Sequence, residues 1–147
     1  MDVLPPELPP QWLSVGARWC VAKQRCIDLE VARSSDQQRL GLMQRPALPP
    51  LRGMWFPFST LQPQRFWMFN TLAPLDMIFV RDGRVLDLVR AVPTCAALPC
   101  RSYAADADGN GRADFVDAVI EIGAGEAERL GIEIGDPVQI APLTPLE

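Results

Sequence analysis

The stretch MIFVRDGRVLDLV, residues 77–89, decides the fold class of this chain. Its centre holds Asp82 and Gly83, a pair that readily supplies the two positive φ angles of a tight type I′ turn. The runs on either side, residues 77–80 and 85–89, are apolar and rich in β-branched side chains, which is typical of strands. The sequence therefore predicts a β-hairpin here.

Further strands are predicted on both sides of this hairpin. Apolar and acidic residues alternate over positions 27–31, which is the pattern of a strand with one buried face. Short apolar or aromatic runs predict strands at 54–58, 65–69, 116–122 and 138–140. The 15 prolines cut the chain into short pieces, and this favours a β-rich domain over a helical bundle.

Two short helices are predicted between the strands. One follows Ser35, where Gln38 stands three residues on as in a capping box, and runs to about Met43. The other spans about Gly125 to Leu130 and stops at Gly131, a residue that commonly follows the end of a helix.

Length and composition limit the possible functions. The 147 residues suit one domain, predicted as an extended or disordered lead-in over 1–14, a β-rich domain over 15–141 and a tail over 142–147. The net charge of −4 argues against nucleic-acid binding, which needs a clustered basic face. The absence of histidine excludes catalytic systems and zinc sites that use it.

The sequence also bears on the localisation of the protein. No apolar run reaches the ~20 residues that a membrane span needs. The acidic, proline-broken start lacks the pattern of a secretory signal. The chain alone therefore indicates the cytoplasm, and a leader outside it would indicate an exported or periplasmic protein.

Four short motifs stand in order along the chain. They are GLM-x-R at Gly41–Arg45, GM-x-F at Gly53–Phe56, WM-x-NT at Trp67–Thr71 and LD-x-x-F at Leu75–Phe79. With this order, residues 26–140 resemble the bacterial and archaeal family called domain of unknown function 192. The resemblance implies a single-domain antiparallel β-sandwich, jelly-roll-like, with one or two short helices, and it implies no activity.

The residues around the third and fourth motifs form a candidate ligand site. Trp67 would be a wall, and Arg45, Asn70, Thr71 and Asp76 would supply polar groups, with Arg45 able to pair with Asp76 or with a ligand carboxylate. The alternative is structural, because short polar side chains such as Asn70 and Asp76 often bond to the backbone of their own loop. Asp76 is expected to be buried in either case.

The four cysteines permit three pairings and leave the redox compartment open. Cys95 and Cys100 lie five positions apart in a loop with Pro93 and Pro99, so a disulfide between them is predicted, with Cα atoms under ~7 Å apart. Free thiols are the alternative, and a four-thiolate zinc site is disfavoured because its usual tight knuckles are absent.

The segment DADGNGRADFVD, residues 106–117, matches the ligand spacing of an EF-hand calcium loop. The loop glycine is Gly111, and position 12 is an aspartate where glutamate is usual. Because residues 115–122 indicate a strand, we expect a calcium loop between β elements, with weak affinity. Its predicted ligands are Asp106, Asp108, Asn110, the carbonyl of Arg112, Asp114 and Asp117.

Three functions remain open from the sequence. The first is a non-enzymatic binding or accessory domain with a calcium-stabilised loop, which binds a small molecule or a protein. The second is a carboxylate-dependent enzyme with its site near Arg45, Asn70 and Asp76. The third is a protein-interaction module with an exposed aromatic face. A deep polar pocket that holds a carboxylate of raised pKa would favour the enzyme.

Overall fold

The computed structural model describes residues 9–22 and 24–143 of the chain. The strands are β1 (Val15–Ala22), β2 (Arg25–Val31), β3 (Arg52–Pro63), β4 (Phe66–Trp67), β5 (Leu75–Arg81), β6 (Arg84–Val92), β7 (Ser102–Tyr103), β8 (Phe115–Gly123) and β9 (Ile140–Pro142). The helices are α1 (Ser35–Leu40) and α2 (Glu126–Leu130). Seven strands form one sheet, in the order β6-β5-β8-β3-β2-β1-β9, and β4 pairs with β7 in a small second sheet.

The predicted hairpin is confirmed by the antiparallel pair β5–β6. Its two turn residues, Asp82 and Gly83, have φ angles of 52° and 73°. Both angles are positive, as a type I′ turn requires. The prediction of a mainly β fold with two short helices is confirmed as well.

The sheet is mixed, and the prediction of an antiparallel sandwich is wrong on this point. Strands β2 and β3 run parallel, with Asp28 opposite Arg52 and Val31 opposite Trp55. Parallel neighbours need a crossover that returns the chain to the starting edge. Residues 32–51, which include α1, make that crossover here. The jelly-roll topology that the resemblance implied is not confirmed.

Strands β5 and β8 lie side by side inside the sheet and are buried on both of its faces. Ile78 and Ile120 belong to one apolar cluster, which α2 covers with Ala127 and Leu130. Phe79 and Val119 point the opposite way into a second cluster. Strand residues alternate between faces with a period of two, so this sheet separates two cores.

Both helices end near the predicted positions. Helix α1 begins one residue earlier than the predicted capping box implied, because Ser34 is the cap. Its Oγ accepts the backbone N–H of Gln37, and its own backbone N–H donates to the Gln37 side chain. The helix ends at Leu40, three residues before the predicted Met43. Helix α2 stops at Gly131 as predicted, and the φ angle of this glycine is 70°.

Residues 9–14 precede β1 without regular secondary structure. Gln11 anchors this segment, because its Nε2 donates hydrogen bonds to the carbonyl oxygens of Gln37 and Gly41 at 2.8 and 2.9 Å. The rest of the predicted lead-in, residues 1–8, and most of the predicted tail, residues 144–147, lie outside the described residues.

Two disulfides close short loops. The Cys95–Cys100 pair that the sequence predicts is bonded, with Cα atoms 5.9 Å apart. Cys20 and Cys26 face each other across β1 and β2 and are also bonded, a pairing that the sequence left open. No described cysteine is free. Among the described helices, none has the length and apolarity to cross a bilayer.

Gly53 lies where β3 passes closest to both of its neighbours, and we predict that Gly53→Ala destabilises the fold. A Cβ atom there would lie 2.7 Å from the carbonyl oxygen of Glu121 and 2.9 Å from a methyl group of Ile122. Overpacking of this kind costs about 1–3 kcal/mol of unfolding free energy. Thermal unfolding measures the loss.

Gly123→Ala is the matched control for this substitution. It adds the same methyl group on β8, where the nearest atom is 3.6 Å away. A Gly53→Ala protein as stable as the Gly123→Ala protein would contradict the packing argument.

Candidate functional site

Arg45 and Glu30 form a buried, two-pronged ion pair beneath the lead-in segment. The Nη1 and Nη2 atoms of Arg45 donate to Oε1 and Oε2 of Glu30 at 2.7 and 2.8 Å. Leu13 donates its backbone N–H to the same Oε1 at 2.9 Å, and the Trp12 ring lies 4.0 Å from the Arg45 Cζ. Removing one member of such a buried pair lowers the free energy of unfolding by ~3–5 kcal/mol, so Arg45 has a structural role.

Asp76 is buried, but its partners are not those expected from the sequence. Its Oδ1 accepts from the backbone N–H of Ala91 at 2.8 Å, and its Oδ2 accepts from Gly125 and Ala127 at 3.1 and 2.9 Å. The carboxylate therefore joins β5 to β6 and caps α2, whose own cap residue, Gly125, has no side chain to do so. The pair between Arg45 and Asp76, one of the alternatives that the sequence left open, is not formed, because Asp76 accepts from backbone amides and Arg45 binds Glu30.

The remaining three predicted ligand residues divide between two places. Trp67 and Thr71 line one cavity, described below. Asn70 has a positive φ of 59°, and its carbonyl oxygen accepts the N–H of Gln44 at 2.7 Å, so it shapes the turn after β4. The structure thus does not gather the five predicted residues around one point, and ligand binding by the whole set stays a prediction.

Glu121 is the functional candidate that sequence reasoning missed. It lies on β8 between Met54 of β3 and Met77 of β5, and its side chain shares the face of Val119. Only 4% of the residue is exposed. Among the described residues, no donor and no cation pairs with its carboxyl group. A single acidic residue on the buried face of an otherwise apolar strand, VIEI, was the available signal.

A cavity of about 260 Å³ opens over Glu121. Its walls are aromatic and come from β3 and β4, and residues 38–43 of α1 and the following turn form another side. Gln38 is fixed there, because its amide donates to the carbonyl oxygens of Ala32 and Pro57 at 3.0 and 2.8 Å. The aromatic walls are Phe56, Phe58, Phe66 and Trp67.

The burial of Glu121 determines whether its carboxyl group is charged inside the cavity. Burial raises the pKa of Glu121 from 4.5 to about 8, because the charged form loses its hydration and no partner replaces it. The carboxyl group is therefore mostly protonated at neutral pH and can donate a hydrogen bond into the cavity. Thr71, Gln64 and Arg65 add further polar groups to the lining.

The predicted calcium loop has its oxygen atoms directed at backbone amides. Asp106 accepts from the N–H groups of Asn110 and Gly111, both at 3.0 Å. Asp117 lies on β8, outside the loop, and accepts from the N–H of Asp82 at 3.0 Å. Within the described part of the chain, no three acidic or sulfur side chains come together as a metal site. Calcium binding stays a prediction.

Comparison with known proteins gives a family without an established activity. Residues 18–140 match the model of domain of unknown function 192, which is described as an uncharacterized family. No curated protein matches the chain.

Two crystal structures are similar over nearly the whole chain. A protein of unknown function from Novosphingobium aromaticivorans is 30% identical, with a TM-score of 0.69 over 90% of this chain and 94% of that chain. A protein from Sinorhizobium meliloti, described as a candidate transcription regulator, is 28% identical, with a TM-score of 0.66 over 86% and 91%.

We predict that Glu121 makes the protein less stable as the pH rises from about 4.5 to 8. In that window the folded protein keeps a proton that the unfolded chain has released, so the free energy of unfolding falls by up to ~1.4 kcal/mol per pH unit. Glu121→Gln has no such proton, and its melting temperature should exceed that of the parent protein at pH 8 but not at pH 5.

Thermal unfolding from pH 4 to 9 tests this prediction. Glu128→Gln, on the exposed side of α2, controls for the loss of one carboxylate. Parallel pH profiles for the parent and the Glu121→Gln protein would refute a buried, protonated Glu121.

Proposed function

The chain belongs to the domain of unknown function 192 family, and we propose that it is a small-molecule binding module whose ligand occupies the cavity over Glu121. The site differs from the Arg45 and Asp76 region that the sequence suggested. The carboxylate of Asp76 and the two Nη atoms of Arg45 have protein partners, whereas the carboxyl group of Glu121 has none among the described residues.

The buried carboxyl group of Glu121 is the observation that carries this proposal. A carboxyl group this deeply buried, with no protein partner and only the cavity to face, is costly to keep and uncommon in natural structures. A stabilising role does not account for Glu121, because it bonds to no described residue. A ligand that accepts its proton in a hydrogen bond would satisfy it.

The shape of the cavity supports the same proposal. Its volume of about 260 Å³ is just below the ~300–1,000 Å³ of common ligand sites, which suits a ligand smaller than a drug molecule. Aromatic walls with a few polar groups at fixed positions are the usual composition of such sites. The ligand would bury an apolar body against Phe58 and Phe66, the partly exposed phenylalanines of the lining.

Acid–base catalysis at Glu121 is the second candidate. One observation favours it, namely that the pKa of this group lies near physiological pH, where a general acid or base works best. The described part of the lining offers little else for chemistry, since its one hydroxyl group belongs to Thr71 and Glu121 is its one carboxyl group. Binding therefore remains the first proposal.

The two disulfides support a place for this module in an oxidising compartment, such as the periplasm or the cell exterior.

Regulation of transcription, named for the S. meliloti neighbour, is not part of the proposal, because the net charge of −4 opposes DNA binding. The tryptophans do not support a protein-interaction module with an exposed aromatic face. Trp19 is buried in the cluster that holds Ile78 and Ile120, whereas Trp67 lines the cavity on the opposite face of the sheet.

Protein-observed NMR of 15N-labelled protein with a panel of small carboxylates, amides and amines tests the binding proposal. Hits should shift backbone signals of residues 38–43 and 66–67 in the parent protein. Glu121→Leu, which keeps the bulk but not the carboxyl group, should weaken them, and Leu72→Ala, outside this cavity, should not. Hits that shift only distant signals, or a panel without hits, would refute the proposed site.

Calcium binding by residues 106–117 is a separate part of the proposal and has its own test. Millimolar calcium should raise the melting temperature relative to chelator, because a ligand of the native state stabilises by mass action. Asp106→Ala should remove the shift. Equal melting curves with calcium and with chelator would exclude the site.

A further inference from the structure

Arg65 connects the Glu121 cavity to a second one. This exposed residue lies between β3 and β4 and lines both the first cavity and a neighbouring cavity of about 200 Å³. Arg101 and Arg112 line the second cavity as well. Among the described residues, none of the three side chains is within ion-pair distance of a carboxylate.

The second cavity is basic although the protein as a whole is acidic. Its lining has three arginines and one acidic residue, Asp106, whose oxygens accept from loop amides. The Arg101 guanidinium lies 5.0 Å from the Tyr103 ring centroid, which fixes one of the three positive groups. Arginine side chains without partners are well suited to a ligand carboxylate, which they bind through paired hydrogen bonds.

We infer that the ligand of the Glu121 cavity is a small organic anion, with its carboxylate at Arg65, its apolar body between the aromatic walls and a hydrogen-bond acceptor at its inner end facing Glu121. This inference rests on the proposed function. It adds the charge and the orientation of the ligand.

The hydrogen bond between Glu121 and the inner end of the ligand follows from the surroundings of this residue. Its neighbours in the sheet are Met54 and Met77, and no cation among the described residues holds it charged. The charged groups among the described lining of its cavity are Arg39, paired with Asp36 at 2.6 Å, and Arg65. Because Arg39 is paired, Arg65 is the positive group that a ligand meets among the described lining, and it would repel a cationic ligand and attract an anionic one.

Three probes with the same body separate these cases: 4-hydroxyphenylacetate, 4-hydroxyphenylacetamide and tyramine carry a negative, a neutral and a positive end group. Their affinities are measured at neutral pH by chemical-shift titration up to roughly 10 mM, above the millimolar Kd expected for fragments of this size. We expect the carboxylate to bind tightest and tyramine weakest.

Variants locate the two ends of the probe. Arg65→Gln should weaken 4-hydroxyphenylacetate by about three- to tenfold and leave the amide unchanged, whereas Arg81→Gln, the same charge change on β5, should affect neither. Glu121→Gln keeps a hydrogen-bond donor and should retain binding, whereas Glu121→Leu should lose part of it.

Tightest binding by tyramine, abolished in Glu121→Gln, would overturn the inference but leave the cavity a ligand site. Binding of the carboxylate that is equal in the Arg65→Gln and Arg81→Gln proteins would overturn it as well. Absence of any shift with all three probes would also overturn it, and the wider panel described above would then decide the proposed function independently.

Discussion

Burial of β5 and β8 on both faces is the constraint on which the rest of this structure depends. Residues 75–80 of β5 and 118–122 of β8 are all buried, so a polar group there must find a partner or remain costly. Asp76 finds three backbone amides and thereby joins β6 and α2 to the sheet. Glu121 finds no described partner, and the same constraint that makes Asp76 structural makes Glu121 a candidate for function.

The sequence predicted the local features well, because they depend on neighbouring residues. The turn at Asp82 and Gly83 and the end of α2 at Gly131 need positive φ angles, and these residue types report them directly. The parallel pair of β2 and β3 was not predictable in this way. It depends on where residues 32–51 return the chain, and no local pattern encodes that path.

The candidate site was harder to predict than the fold for a related reason. Arg45 and Asp76 attract attention as polar residues within apolar motifs, but their partners, Glu30 and the start of α2, lie far away in sequence. Glu121 is part of an ordinary strand pattern. Only the assembled sheet shows that Arg45 binds Glu30 and Asp76 binds backbone amides, while Glu121 faces an opening that residues 38–43 and β4 create.

The hydrogen bonds of Gln11 give the cavity a mechanical connection to the chain ahead of β1. Gln11 holds the carbonyl oxygens of Gln37 and Gly41, at the end of the helix that borders the cavity. Trp12 and Leu13 continue this contact onto the Arg45–Glu30 pair. A force on residues 9–11 would therefore act on the rim of the cavity, at Gln37 and Gly41, before it reached the sheet.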